Sequence, residues 1–289
     1  MNRNDQNAIL TRTEQATNMI VSQFNHGCDN VHHAARMAAR SYHSSLLLKI
    51  PSWIDGITCS NTVDNIFKVK RQAKAYTEEV VSELKQRIKA DATEWAESRF
   101  VPLLENELNT LANTVNADTE KCYEELGKLR VDLDVNQREI VDNATPSGAN
   151  RLISTGTSLL IGDLGGAIMG GAGGFEGMLK TLTCEFVGGF VLGIIALFTP
   201  IGLPALIITA IIGMIAGGCW TLSSIEKKIR RKVKEAVLDS MKSKEHLLAY
   251  DNMIHGKVEQ YLSILRDEME ENVNKLQLTA DAYSQVLAN

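Results

Sequence analysis

The sequence predicts an all-α fold, an elongated bundle of long amphipathic helices with an apolar, glycine-rich hairpin insert at one end. Three observations predict it. Apolar residues recur at spacings of three and four along most of the chain, as a stripe on one helix face requires. No stretch alternates with a period of two between hairpin turns. No residue from Phe186 through Ile225 is Asp, Glu, Lys, Arg or His.

The 289 residues suffice for one large or two modest domains with a real core. A hydrophobic content of 44%, a charged content of 22% and a formal charge of -5 are ordinary for a soluble chain, but they average over a strong segregation. Leu, Ile, Gly and Ala crowd residues 152–225 while both flanks are polar. The mild acidity gives no general attraction to nucleic acid. Four regions follow: an N-terminal helical segment (1–61), the first part of a long bundle (62–145), the apolar insert (146–225) and the second part of the bundle (226–289).

Residues 1–48 read as one or two helices, with Ile9, Met19, Ile20 and Phe24 as apolar positions and an Ala-rich second half. MNRNDQNAILTRTEQATNMI lacks an apolar core followed by a small-residue cleavage site, so no secretory signal is expected. Pro51 and Gly56 are expected to interrupt, giving a bend between helices. From Thr62 onward, Ile66, Val69, Ala73, Tyr76, Val80, Leu84, Ile88, Ala92 and Trp95 form one stripe, Leu104, Leu108, Leu111 and Val115 continue it after Pro102, and Cys122, Leu126, Leu129 and Leu133 extend it. Unbroken, this is a helix of roughly 110 Å at 1.5 Å per residue, which needs a partner along most of its length. DNATPSGAN stops it.

Within the insert, Gly162, Gly166, Gly170 and Gly174 lie four apart, a spacing that permits close helix approach. Two apolar limbs, 187–199 and 205–222, meet at TPIGLP, where Pro200, Gly202 and Pro204 oppose a continuous helix. The limbs would rise about 20 and about 27 Å as helices, against a hydrocarbon core of about 30 Å, so a shallow or re-entrant hairpin is expected over two full spans. The expected membrane-interacting residues are Phe190, Leu192, Ile195, Leu197, Phe198, Pro200, Gly202, Pro204, Leu206, Ile208, Ile211 and Ile212. Directly after them KKIRRKVK places six cations in eight residues. Lys227, Lys228, Arg230 and Arg231 are expected to meet anionic headgroups, or else to pair with the acidic 78–139 region. Ile225, Ile229, Val233 and Val237 sit four apart, and after a softer patch near Ser243 the returning stripe resumes with Ile254, Val258, Tyr261, Leu265, Met269, Val273 and Leu276.

Catalytic motifs are absent from the sequence: there is no GxxxxGK[ST] phosphate loop, no HExxH and no GxSxG. GDLGG and GGAGG lack the strand, turn and helix context of a dinucleotide site. In HGCDNVHH, His26, Cys28, His32 and His33 could ligate zinc only if the helix broke, and a solvated or oligomer-facing helix is the expectation. Five scattered cysteines form no CxxC pair and point to a reducing compartment, with Cys184 and Cys219 serving as small apolar residues. The chain is therefore expected to be no enzyme and to take no cofactor and no metal.

The order of long helices, glycine-rich lead-in, apolar hairpin and basic exit resembles two families. GGAIMGGAGGFEGMLK through LFTPIGLPALI resembles the paddle of bacterial dynamin-like proteins, and 62–140 with 226–289 resembles their helical stalk, although the chain lacks their phosphate-binding loop. Alpha-helical pore-forming toxins of the cytolysin A and tripartite enterotoxin type share the hairpin within a long bundle. The second resemblance implies a membrane-inserting toxin or toxin component. Its soluble form would lie in the cytoplasm or be exported without a classical signal, and it would then oligomerise on a membrane with copies of itself or related helical subunits. The first implies a membrane-remodelling stalk or scaffold subunit.

Overall fold

In a computed structural model, residues 3–65, 67–131, 133, 135–144, 187–197 and 222–288 are described. The described chain is all-α. Its helices are α1 (Arg3–Asp55), α2 (Val69–Trp95), a π segment (Ala96–Phe100), α3 (Val101–Val131), α4 (Val135–Ala144), α5 (residues 187–197), α6 (Leu222–Lys242) and α7 (Lys244–Ala288). They fall into two compact units. Unit 1 draws on Met1–Ala34, Leu104–Thr183 and Val258–Asn289, and unit 2 on Ala35–Leu103 and Cys184–Lys257.

The stripes explain both cores. In unit 1, Ile20, Phe24, Cys28 and Val31 of α1 are buried, as are Leu104, Leu108, Leu111 and Val115 of α3 and Val258, Leu265, Met269, Val273 and Leu276 of α7. Met19 is 54% exposed, because two consecutive helix positions point about 100° apart and Ile20 takes the inward one. In unit 2, Ala73, Tyr76, Val80, Leu84, Ile88 and Ala92 of α2 face Ile225, Ile229, Val233 and Val237 of α6 in one core. Buried threonines inside the helices return their hydroxyls to the backbone: Thr17 donates to the Thr13 carbonyl at 2.6 Å and Thr77 to that of Ala73 at 2.7 Å.

Two expected breaks fall differently. α1 is a single helix that runs through Pro51 to Asp55, so Pro51 does not interrupt it and Gly56 does. Pro51 lies in the penultimate turn, where only the bond back to residue 47 is lost and the chain has just one more turn to make. Pro102 likewise ends nothing. The π segment precedes it, and the Val101 amide reaches five residues back to the Ala96 carbonyl, a local widening that accommodates a residue with no amide to donate. Where a soft patch is expected, α6 stops at Lys242 and Ser243 caps α7, its hydroxyl oxygen accepting from the His246 amide at 3.2 Å.

The loop after α1 is anchored by Glu79 of α2. Its carboxylate accepts from the Ser60 amide (2.6 Å) and hydroxyl (2.8 Å) and from the Asn61 amide (3.0 Å) and side-chain nitrogen (2.8 Å). These four donors, the Ser60 amide first, hold the Glu79 carboxyl down at about 2, below its usual 4.5. A depressed carboxylate stabilises the fold above its ordinary value and loses that contribution as pH falls toward the folded one. Protection of the Ser60 and Asn61 amides, corrected for the intrinsic pH dependence of exchange, should therefore fall as pH drops from 4.5 toward about 2. Glu79→Gln should weaken the same protection at neutral pH; unchanged protection in that variant would show the loop is held elsewhere.

The expected apolar hairpin lies outside the described residues except for α5. There Phe190, Val191 and Ile194 are buried, while Leu192 is 66% exposed. Gly189 and Gly193 allow α7 to come close: a Cβ on Gly189 would lie 2.9 Å from the Lys257 ammonium, and one on Gly193 would run into the Met253 side chain. Gly27 of α1 similarly faces buried Leu111 in unit 1. Thermal and urea unfolding should show Gly27→Ala to be destabilising by about 1–3 kcal/mol through overpacking. Gly256→Ala, with nothing near its Cβ, should stabilise α7 by up to about 1 kcal/mol.

Candidate functional site

A helix ends with carbonyls that have no intrahelical partner and with a partial negative charge of about half an elementary unit. α1 carries no basic residue in its last turn to answer either. Two arginines from other helices do so. Arg230 of α6 donates from Nη1 to the carbonyls of Ile54 (2.7 Å) and Asp55 (3.0 Å) and from Nη2 to that of Ile57 (2.6 Å). Arg87 of α2 donates to the carbonyls of Trp53 (3.2 Å) and Gly56 (3.3 Å). Five consecutive carbonyls, residues 53 to 57, are thus bound by two guanidinium groups.

The rest of the clasp holds Arg230 in place. Its Nε donates to the Tyr76 hydroxyl at 2.7 Å, and its guanidinium carbon lies 5.7 Å from the centre of the Tyr76 ring. Burial pushes the Tyr76 hydroxyl above its ordinary pKa despite the neighbouring cation, so it stays protonated. Lys234, one turn further along α6, meets both carboxylate oxygens of Asp55 at 2.8 and 2.9 Å. Three helices therefore converge on one terminus, and every contact there is a fixed charge or a dipole.

Arg230 and its neighbours were expected to meet headgroups. Arg230 is half-buried in this clasp, Arg231 is exposed and pairs with Glu235 at 3.6 Å, Lys227 is exposed, and Lys228 is half-buried. The other expected residues divide in the same way. Phe190 is buried, Leu192 exposed, and Ile195 and Leu197 half-buried. Phe198, Pro200, Gly202, Pro204, Leu206, Ile208, Ile211 and Ile212 lie outside the described residues.

Phe190 enters an aromatic stack built by the π segment. Trp95 lies 4.3 Å from Tyr42, 4.9 Å from Phe100 and 5.5 Å from Phe190, and Phe100 lies 5.3 Å from Phe190. The wider π turn brings Trp95 and Phe100, five residues apart, to one side. Beside the stack is a groove of about 360 Å³ lined by Tyr42, Lys49, Asp91, Glu94 and Arg99 among others. Lys49 bridges to Asp91 at 2.6 Å across it. Burial, reinforced by the Asp91 charge, pushes the Tyr42 hydroxyl far above its ordinary value.

The described thiols are held protonated by the same physics. Burial raises Cys28 and Cys122 to about 11 and raises Cys59 as well. In the HGCDNVHH stretch, His32 meets Glu259 at 2.8 Å, and among the described residues no cluster could hold a metal ion. Sequence reasoning missed Arg87, Tyr76 and Asp55. The one available signal was negative: after Lys49 the end of α1 reads IPSWIDG, a helix terminus with no cation of its own.

Compared with known protein families, curated proteins and solved structures, the chain matches none. Among the described residues no helix is long and apolar enough to cross a membrane. That finding overturns the expected function as a membrane-inserting pore-forming toxin, and the membrane-binding character expected with it. The described part of the first limb shows the physical reason. Phe190, Val191 and Ile194 of α5 are committed to the core of unit 2.

Replacing Arg230 with Ala should cost on the order of 2–3 kcal/mol, since it strands part-buried carbonyls and a tyrosine hydroxyl that a charged donor now satisfies. Arg230→Lys should recover little of this, because one ammonium cannot reach four acceptors arranged for a planar fork. Urea denaturation of the two variants checks both statements, and full recovery by Lys would show that charge alone suffices.

Proposed function

We propose that this chain is a nonenzymatic stalk or scaffold subunit of the kind found in bacterial dynamin-like proteins, acting through the packing of long helices and through association with copies of itself or related helical subunits. The observation that carries this reading is the clasp on α1. Arg230, the residue best suited to bind an anionic ligand by its planar fork, is engaged by three backbone carbonyls and a tyrosine of its own unit. The charge chemistry of this region holds helices in position.

Helix length supports the same reading. α1 spans 53 residues and α7 spans 45, against about 11–12 for an average helix. Long helices give a large lateral surface for repeated side-by-side contacts, as a stalk requires.

Sedimentation velocity across a concentration series, followed by electron microscopy of the resulting particles, tests the proposal. Ordered, concentration-dependent assembly of the folded chain is expected. A chain that stays monomeric throughout the series overturns it.

A further inference from the structure

Two buried histidines meet in unit 2, one from each of the longest helices. His43 of α1 is 4% exposed and His246 of α7 is 7% exposed, and their ring centroids lie 5.5 Å apart. Tyr250 completes the cluster, 5.4 Å from His43, and its hydroxyl donates to the Ala39 carbonyl at 2.9 Å. Each imidazole also reaches the backbone of another helix. His43 bonds to Met241, the penultimate residue of α6, and His246 to Leu197, the last described residue of α5. The pair thus joins four helices at one point.

We propose that His43 and His246 form an acid-sensitive latch in unit 2, closed while both rings are neutral and opened when they take up protons. Two imidazolium ions at this separation repel each other in a site with little water to screen them. The seam they would open is the one that holds α5 at Leu197 and the start of α7.

The surroundings oppose protonation in balance. Burial lowers both rings; for His246, the charge of His43 adds to it and the combination brings the ring from its ordinary 6.5 down to about 4. The Met241 and Leu197 backbone bonds act the other way, as does the Asp251 carboxylate on His43. Asp251 is itself engaged by Arg40 of α1. The Tyr42 and Tyr250 hydroxyls are pushed upward by burial and stay neutral, and α5, VGGFVLGIIAL, carries no titratable side chain.

The sign of the effect follows. A ring whose folded value is depressed favours the open state once pH falls below the ordinary value, and the preference grows until the folded value is reached. Local opening should rise by up to about tenfold per pH unit between 6.5 and about 4 as His246 takes up its proton, and His43 adds to the effect in the same direction.

Amide exchange of the full chain, corrected for the intrinsic pH dependence of exchange, measures this in α5 and at the start of α7, with the α3 amides of unit 1 as internal reference. Acid-enhanced opening confined to unit 2 is expected in the wild type, and its loss is expected in the His43→Gln, His246→Gln double variant. Opening that is flat with pH, or that persists unchanged in that variant, overturns the latch. Should the variant fail to fold at neutral pH, the imidazole NMR titration of the wild type decides. Depressed titrations of His43 and His246 that coincide with opening support the latch. Titration of both rings at the ordinary imidazole value of 6.5 overturns it.

Discussion

The end of α1 is the constraint on which unit 2 turns. A long helix terminates with carbonyls that need donors and a partial charge that needs a cation, and its own sequence supplies neither. Arg87 and Arg230 supply both, from two different helices. Because a guanidinium is planar and carries five donors, each arginine spans neighbouring carbonyls at once and fixes the direction from which its helix arrives. Tyr76 then fixes Arg230, and the buried stripes of α2 and α6 follow from that docking. The basic character of α6 is thereby explained as a requirement of the fold for Arg230 and Lys234, whose partners are all within unit 2.

The π segment solves a related difficulty. Pro102 has no amide to donate, and a strict α-helix through it would leave an unpaired carbonyl and a steric clash. Widening the preceding turn absorbs both and rotates Trp95 and Phe100 onto the same side, where Tyr42 and Phe190 complete the stack. Phe190 brings α5 with it. The apolar character of α5 is consumed in part by this stack and by close approach to α7 at Gly189 and Gly193.

Much of the fold was legible because helix periodicity and burial are two statements of one geometry. The Ala73 to Ala92, Leu104 to Val115, Ile225 to Val237 and Ile254 to Leu276 series face inward as their spacing requires, apart from the half-buried Tyr261. Proline was less informative than expected. Its cost depends on whether the lost bond falls in a last turn, as at Pro51, or beside a π turn, as at Pro102, and neither circumstance is visible in a local window. Hydrophobicity also misled over function. The run beginning at residue 187 looks lipid-seeking by composition, yet its described part has an inner face buried in protein. Composition reports that a segment avoids water without saying what replaces the water.

By itself the sequence determined that the protein is helical, which faces are buried, where α6 gives way to α7 and that no known phosphate, zinc or serine-nucleophile motif is present. These are local properties, set by spacing, capping and residue type over a few turns. Only the tertiary structure decided which cation meets which carbonyl, that Phe190 stacks on Phe100, and that His43 and His246 share a buried seam. The partners of Arg230 lie 154 and 173 to 176 residues away in sequence. Contacts over such distances depend on how helix stripes dock in three dimensions, and one-dimensional periodicity leaves the choice of partner, and so the fate of each charge, undetermined.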